Sequence, residues 1–155
     1  MLLLVRHSKA GSRKDWNGDD RLRPLSEAGW SQARGLVPLL SPQKPTRLLS
    51  SPYVRCVQTL EPLSQACHLP IEVVDELAEG RAGKAVKLAQ RLATKDAGTI
   101  VLCTHGDIVP EILRHAEEEH AVHLGSTVRW PKGATWILES NGKAFTKAMY
   151  LRPPD

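Results

Sequence analysis

The chain has 155 residues, of which 41% are hydrophobic and 25% are charged. This composition is typical of a globular protein and excludes a disordered or collagen-like chain, and the length predicts a single domain over residues 1–155. The first apolar run is too short for a signal peptide or a membrane span, so we expect a cytoplasmic protein without a membrane partner. The net charge of +4 suits an anionic ligand. The chain lacks the blocks of Lys and Arg and the interleaved aromatic residues that indicate nucleic-acid binding.

The cysteines and the C-terminal histidines do not predict a metal site. Cys56, Cys67 and Cys103 lack ligand spacing, and we interpret them as small buried thiols of a reducing compartment. His115, His120 and His123 lie near a run of glutamates, but their spacing fits no zinc pattern and is better explained by a charged helix end. We therefore expect neither a metal nor a cofactor.

The N-terminal segment indicates a buried strand with a polar end. Four apolar residues at positions 2–5 lead directly into Arg6 and His7. An uninterrupted apolar run of this length fits a strand buried on both faces, as in a parallel sheet covered by helices. Arg6 and His7 would then lie at the carboxyl end of the strand, where open α/β sheets bind their ligands.

The first half of the chain continues with alternating helix and strand signals. Residues 12–23 are polar and predict a loop beside His7, and Ser26 is a helix N-cap before an apolar stripe that ends at Leu40. Residues 46–49 predict a short strand. Ser51 as N-cap and Pro52 at the first helical position predict the next helix start. Arg55 would lie in the first turn of that helix, where a cation opposes the helix dipole unless an anion is bound nearby.

The second half repeats this plan and ends in a hairpin. Residues 71–74 predict a third strand, 75–80 a loop, and the apolar spacing from Ala85 to Leu92 a helix. Residues 99–104 predict a second fully buried strand, which leads into His105, Gly106 and a further helix. Residues 135–139 and 144–151 flank an Asn-Gly pair, which indicates a type I′ hairpin turn. The chain therefore predicts a three-layer α/β fold with a mostly parallel central sheet and helices on both faces.

The two buried strands suggest a phosphate site. If they are parallel neighbours, His7 and His105 leave the same edge of the sheet together with Arg6, and Arg55 joins them from its helix start. Guanidinium groups bind phosphate oxygens and neutralise their charge. An imidazole with one free nitrogen can attack phosphorus when the other nitrogen is fixed by a hydrogen bond. A carboxyl from the loop that holds Glu76 and Glu79 would protonate the leaving group and later activate water.

Five segments, in this order, resemble motifs of the histidine phosphatase superfamily, which has the phosphoglycerate mutase-like fold. They are LVRHS at 4–8, RPLS at 23–26, SSPYVRCVQT at 50–59, LAE at 77–79 and THGD at 104–107. The resemblance implies that His7 accepts the phosphoryl group and that the phosphate pocket is formed by Arg6, Arg55 and His105. Glu79 matches the proton-donor position, with Glu76 as the second candidate.

The short chain and the RPLS segment are most similar to the compact branch that includes bacterial phosphohistidine phosphatases, in which Arg23 would also face the phosphate. A second likeness is to the C-terminal phosphatase domain of two-domain Nudix hydrolases, which acts on nucleotide products. Residues 9–13 and 17–20 support it, and Lys9 and Arg13 are candidate specificity residues. Ser8 stands where the family signature more commonly has glycine. A serine at this position would be strained if the backbone there had a positive φ.

Two functions remain open from the sequence. The first is a metal-independent phosphatase that hydrolyses a phosphomonoester, a phosphohistidine or a nucleotide phosphate through a phosphohistidine intermediate on His7. Its partners would be a phosphorylated small molecule, nucleotide or phosphoprotein. The second is a non-catalytic module that binds a phosphorylated ligand on the same fold.

Overall fold

The computed structural model describes residues 1–94 and 98–155. Its strands are β1 Leu2–Arg6, β2 Arg47–Ser50, β3 Ile71–Val73, β4 Ile100–Thr104, β5 Thr135–Ser140 and β6 Phe145–Leu151. Its α-helices are α1 Glu27–Leu40, α2 Val54–Cys67, α3 Ala82–Ala93 and α4 Val109–His120. Short 3₁₀ turns lie at Arg13–Asp15, Asp20–Leu22, Ser41–Gln43 and Asp75–Leu77. Within the described residues, every helix is too short or too polar to cross a membrane.

The strands form one sheet in the order β3-β2-β4-β1-β5-β6. The first four are parallel to one another, and β5 and β6 are added as an antiparallel hairpin beside β1. The predicted α/β fold with a mostly parallel sheet is therefore confirmed. β1 and β4 are direct parallel neighbours in a register that pairs Arg6 with Thr104. His7 and His105, the next residue of each strand, consequently leave the sheet at equivalent positions.

The core is split into two layers by the alternation of side chains along β1. Leu2 and Leu4 pack into a cluster with residues of α3 and α4. Leu3 and Val5 pack on the opposite face, with residues of α1 and α2. All four side chains are nearly inaccessible to solvent, which explains why this strand has no polar position before Arg6. The helices cover both faces of β1, and the residues at its carboxyl end, Arg6 and His7, line a cavity.

The start of α1 agrees with the prediction, whereas the start of α2 does not. Ser26 caps α1 by accepting a hydrogen bond from the N–H of Gly29. α2 begins at Val54 rather than at Pro52, because the backbone of Tyr53 is still extended. The N–H of Ser51 donates to the Cys103 carbonyl, so residue 51 continues the β2–β4 pairing and is not yet free to begin a helix.

The C-terminal hairpin is present, but its turn is longer than predicted. The connection comprises residues 141–144, in which the N–H of Asn141 donates to the Ala144 carbonyl. A type I′ turn needs a positive φ at both central residues, whereas here Gly142 has a positive φ and Asn141 does not. The side-chain oxygen of Asn141 instead accepts the N–H groups of Lys143 and Ala144. This bonding stabilises a four-residue connection.

Candidate active site

The two histidines at the strand ends lie side by side. Their ring centroids are 5.5 Å apart and the ring planes are inclined by 66°. His7 is 5% exposed and His105 is 1% exposed. Because the main-chain N–H of His7 donates to the Thr104 carbonyl, the β1–β4 hydrogen bonding continues to the first residue of the site. The position of His7 is therefore determined by the sheet itself.

One nitrogen of His7 is held by a hydrogen bond, and the other has no hydrogen-bond partner in residues 1–94 and 98–155. Nδ1 lies 2.8 Å from the Ser8 carbonyl oxygen, and since a carbonyl only accepts, Nδ1 carries the proton and Nε2 keeps its lone pair. Burial lowers the pKa of His7 to about 3, the Ser8 carbonyl opposes that shift, and the charges of Arg55, Arg6 and Lys132 add to it. The imidazole is therefore neutral at physiological pH, which is the form that can act as a nucleophile.

Ser8 occupies its position without backbone strain. Positive φ angles at non-glycine residues occur at Lys44, His68 and Ala121, and Ser8 does not share this conformation. Its side chain is fully buried, and its N–H donates to the Thr59 hydroxyl at 2.9 Å. The replacement of the commoner glycine therefore leaves the backbone that presents His7 in an ordinary conformation.

Arg6 lies flat against the turn that follows β4. Its Nη1 donates to the Trp130 carbonyl at 2.9 Å, whereas its buried Nε has no partner among the described residues. A Cβ at Gly106 would lie 2.6 Å from Nη2 and 2.7 Å from Cζ of Arg6. Gly106 therefore makes room for the guanidinium group between the two strand ends.

Gly106→Ala is expected to displace Arg6. For the hydrolysis of phosphate esters that the sequence predicts, kcat/KM should fall by about 10²-fold, the usual effect of losing one aligned charge donor. The fold should persist, because the clash is with a side chain and not with backbone. Activity assays with thermal unfolding measurements test this. Gly83→Ala is the control, since a Cβ there meets nothing within 4 Å. Equal activity of both variants would contradict the role given to Gly106.

Arg55 is the most deeply buried cation of the site, with 1% exposure. Its Nη1 donates to the Asp20 backbone carbonyl at 2.8 Å, and its Nη2 lies 3.1 Å from the carboxylate of the same residue. Its Cζ also lies 4.8 Å from the centroid of the Tyr53 ring, a cation–π distance. Burial alone would raise the pKa of Asp20, but hydrogen bonding from Arg23 and the charge of Arg55 hold it below its usual value.

Arg23 and Arg13 approach the same pocket from the loop before α1. Arg23 is 5% exposed and donates from Nε to Asp20 at 3.0 Å and from Nη1 to the Gly11 carbonyl at 2.6 Å. Arg13 is largely exposed and lies 3.6 Å from both Asp20 and Glu79. A cavity of about 230 Å³ connects these groups to His7, and its cationic lining residues are Arg6, Arg13, Arg23, Arg55 and Lys132.

Glu79 and Glu76 face different cavities. Glu79 lines the cavity of His7 and lies 3.7 Å from Nη2 of Arg55, whereas Glu76 lines a separate depression with Arg81. The loop that carries Glu79 is held by β4 and by the turn between β4 and α4, because the Thr104 hydroxyl donates to the Leu77 carbonyl and the Gly80 N–H donates to Asp107. The structure therefore brings Glu79, and not Glu76, to the other predicted residues.

The ring of His105 is oriented by contacts with residues of the segment between β2 and α2 and of the first turn of α2. Its Nε2 lies 2.8 Å from the Ser51 hydroxyl and 3.6 Å from Sγ of Cys56, and the Tyr53 ring packs edge-on at 4.6 Å. Its buried Nδ1 has no hydrogen-bond partner within the described part of the chain. Burial, followed by the charges of His7 and Arg55, lowers the pKa of His105 to about 3. A neutral His105 thus has one nitrogen fixed and one available to a ligand.

Several residues of the site were not predicted from the sequence. The sequence places Asp20 in a polar loop and in a segment that supports the second likeness, and Ser51 at a helix cap, but it assigns neither residue to the site. It makes no prediction for Lys132. The alternation of acidic and basic residues at positions 19–23 is the signal that points to Asp20, whereas nothing near Lys132 in the sequence indicates a site. Lys9 lines a neighbouring groove and not the cavity of His7.

No group of three or more histidine, cysteine, aspartate or glutamate residues is placed to hold a metal ion in residues 1–94 and 98–155. His120, one of the C-terminal histidines, instead accepts a hydrogen bond from the Phe145 N–H at 2.9 Å through Nδ1. Its ring also packs against His115, with 4.9 Å between the ring centroids. These residues connect the end of α4 to β6.

A family model described as the histidine phosphatase superfamily (branch 1) matches residues 2–90. The chain belongs to this superfamily. The matched residues include His7, Arg55 and Glu79. His105 lies beyond them, so its place in the site rests on the pairing of β1 with β4.

Among curated proteins, this member of the superfamily is similar to an 8-oxo-(d)GTP phosphatase of Mycolicibacterium smegmatis, with 36% identity over 157 residues. The match covers 99% of this chain and 48% of that protein, so the chain spans about half the length of this relative. Among solved structures, it resembles the putative phosphohistidine phosphatase SixA from Agrobacterium tumefaciens, with TM-score 0.78 and 24% identity over 99% of this chain and 97% of that one. The protein histidine phosphatase SixA complexed with tungstate has TM-score 0.73 and 23% identity over 98% and 94% of the two chains.

Proposed function

We propose that the chain is a metal-independent phosphatase that hydrolyses phosphate monoesters through a phosphohistidine formed on Nε2 of His7. The observation that carries this proposal is the state of His7. Its Nδ1 is fixed by the Ser8 carbonyl, and the residue lines a pocket together with five cationic side chains. A neutral imidazole next to fixed positive charge is suited to attack a phosphoryl group. Membership of the histidine phosphatase superfamily supports the same chemistry.

The reaction begins when the phosphoryl oxygens bind the guanidinium groups. Arg6, Arg23 and Arg55 are pre-positioned by hydrogen bonds to backbone carbonyls, so binding requires little reorganisation. The buried Nε atoms of Arg6 and Arg55 and Nδ1 of His105 have no partner within the described residues. Phosphoryl oxygens that bind these nitrogens would satisfy buried groups at the same time, which favours a bound phosphate over water.

Two steps follow. Nε2 of His7 forms a bond to phosphorus while the ester P–O bond breaks, and Glu79 gives its proton to the leaving oxygen. The Glu79 carboxylate then takes a proton from water, which attacks the phosphohistidine and releases inorganic phosphate and free His7. The same cations stabilise the charge on the phosphoryl oxygens in both steps.

The substrate is a phosphomonoester, a phosphohistidine or a nucleotide phosphate. The names of the similar proteins support the last two, since one is an 8-oxo-(d)GTP phosphatase and others are phosphohistidine phosphatases. We place the protein in the cytoplasm as one domain over residues 1–155, with a phosphorylated small molecule, nucleotide or phosphoprotein as its partner and without nucleic-acid binding.

The test is hydrolysis of p-nitrophenyl phosphate in the presence of EDTA. We expect turnover, and we expect no turnover of bis(p-nitrophenyl) phosphate, because a diester lacks the dianionic group that the pocket binds. Phosphate binding by calorimetry without hydrolysis of any monoester, phosphohistidine or nucleotide in a broad panel would contradict the proposal. That result would instead identify a non-catalytic binding module.

Glu79→Gln is expected to lower kcat/KM for alkyl phosphates by about 10²-fold or more, the usual contribution of a general acid. The same quantity for p-nitrophenyl phosphate should change little, because nitrophenolate leaves without a proton. Glu76→Gln is the matched control, since that side chain lies outside the His7 cavity. Equal slowing of both substrate types by Glu79→Gln would show that Glu79 is not the proton donor.

A further inference from the structure

A groove adjoins the phosphate pocket and shares two cations with it. Its volume is about 660 Å³, and Arg6 and Lys132 line both the groove and the cavity of His7. We call it the leaving-group groove. In addition to these two cations, its lining includes Lys9, Gln32, Pro131, Pro153 and one acidic residue, Asp155. Its volume lies in the range of sites that hold whole small molecules. A substrate whose phosphoryl group lies at His7 can therefore extend past Arg6 into this space.

The wall that carries Lys9 is rigid. The backbone carbonyl of Lys9 accepts hydrogen bonds from both the N–H and the hydroxyl of Ser26, and any Cβ at Gly29 would overlap this carbonyl. The close packing of β1's extension against the start of α1 therefore depends on a glycine. The Lys9 backbone is held while its side chain stays exposed along the groove.

Gln32 connects the two lysines of the groove. Its side-chain oxygen accepts the Lys9 N–H at 3.0 Å, and its amide nitrogen donates to the Lys132 carbonyl at 3.2 Å. Gln32 is 5% exposed, so these bonds are protected from competing water. The backbones of the two lysines are thus held on either side of one buried amide.

The charges of the site exceed what one phosphoryl group neutralises. The His7 cavity has five cationic lining residues, opposed by the carboxylates of Glu79 and Asp20. Three positive charges remain, and a bound phosphate dianion leaves one. In the adjoining groove the charge of Lys9 is offset by that of Asp155, so one positive charge of the combined site stays without a counter-charge. Burial and the four neighbouring arginines, Arg6 first, already lower the pKa of Lys132. A further anion at this position would relieve that repulsion.

We propose that the leaving-group groove binds a second anionic group of the substrate, and that the substrate class is a small molecule with two linked phosphates, such as a nucleoside diphosphate. This inference rests on the proposed phosphatase function and specifies its substrate. His7 attacks the terminal phosphorus, the bond from that phosphorus to the bridging oxygen breaks, and the nucleoside monophosphate departs. Lys9 and Lys132 bind the phosphate that departs, and water then releases the terminal phosphate from His7.

The experiment compares adenosine 5′-diphosphate with p-nitrophenyl phosphate as substrates of the full chain. Lys9→Gln is expected to lower the ratio of their kcat/KM values about tenfold, the size of one charged hydrogen bond. Lys9→Arg should restore most of the ratio. Lys14→Gln is the control, because Lys14 is an exposed cation of the same loop and lines neither cavity.

A second measurement separates the failure of this inference from the failure of the phosphatase function. Calorimetric titration with inorganic pyrophosphate and phosphate requires no turnover, and the wild-type chain should bind pyrophosphate more tightly. Lys9→Gln should lower the ratio of the affinities for pyrophosphate and phosphate about tenfold. If Lys9→Gln and Lys14→Gln give the same ratio of the two affinities, the groove does not bind a second anion, whether or not the chain hydrolyses esters. If the ratio changes but no ester is hydrolysed, the groove is retained and the catalytic proposal fails.

Discussion

His7→Ala is expected to abolish phosphatase activity, with a fall in kcat of at least about 10³-fold, because the variant has no nucleophile for the first step. The side chain is buried against His105, so its removal leaves a small cavity but does not alter the strand that carries it. Steady-state hydrolysis of p-nitrophenyl phosphate measures the effect, and circular dichroism verifies the fold. His123→Ala is the matched control, since His123 is exposed and outside the site.

The pH dependence provides a second readout of the same residue. Because the pKa of His7 is lowered to about 3, the imidazole stays neutral on acidification from pH 7 to pH 5. We therefore expect kcat/KM to show no acid limb from His7 in that interval. A loss of activity with a midpoint near pH 6.5, the ordinary pKa of a histidine, would contradict the electrostatic environment described for His7.

The His7→Ala experiment also has an outcome that would contradict the mechanism. Turnover by this variant equal to that of the wild-type chain would exclude His7 as the nucleophile.

Arg55→Met is expected to lower kcat/KM for phosphate esters by about 10²- to 10³-fold, since it removes the buried guanidinium group of the pocket. The variant also leaves the Asp20 carboxylate without one of its cations, which adds repulsion against the incoming phosphate. Arg55→Lys should recover little activity, because an ammonium group cannot donate to Asp20 and to phosphate with the geometry of a planar fork. Enzyme kinetics and phosphate titration measure both variants.

The control for Arg55 is Arg21→Met. Arg21 lies in the same region of the surface and forms an ion pair with Asp19 at 2.7 Å, but it does not line the His7 cavity. Its loss should leave kcat/KM within about twofold, as expected for an exposed ion pair. If Arg55→Met and Arg21→Met have the same small effect, the substrate phosphate does not bind where the structure places Arg55.

The central part of the site could be predicted because it depends on sheet geometry. Two apolar runs, each followed two residues later by a histidine, predict buried strands. If such strands are parallel neighbours, their carboxyl ends meet at one edge of the sheet. The observed pairing of Arg6 with Thr104 is the register that this argument requires. The placement of the arginine-containing helix followed from the short strand before it, even though α2 begins two residues later than predicted.

The remaining contacts depend on loop conformation and side-chain direction, which have no periodic pattern. Asp20 acts through a 3₁₀ turn that directs both its carbonyl and its carboxylate to Arg55. Lys132 reaches the site from the segment between α4 and β5. The sequence of this segment has no helix or strand periodicity from which the position of Lys132 could be predicted. Ser51 followed by proline is typical of a helix N-cap, but in the structure the Ser51 hydroxyl lies 2.8 Å from Nε2 of His105. These positions are determined by tertiary packing and not by local propensity.

Formation of a phosphohistidine on His7 is tested most directly by rapid quenching of the Glu79→Gln variant during p-nitrophenyl phosphate turnover. Nitrophenolate leaves without a proton, whereas attack by water needs the base that this variant lacks, so the covalent intermediate should accumulate. After an alkaline quench, mass spectrometry of the peptides should locate one phosphoryl group on His7, and none in the Glu79→Gln variant that also carries His7→Ala. Release of nitrophenolate by Glu79→Gln without phosphorylation of His7 would contradict the covalent mechanism.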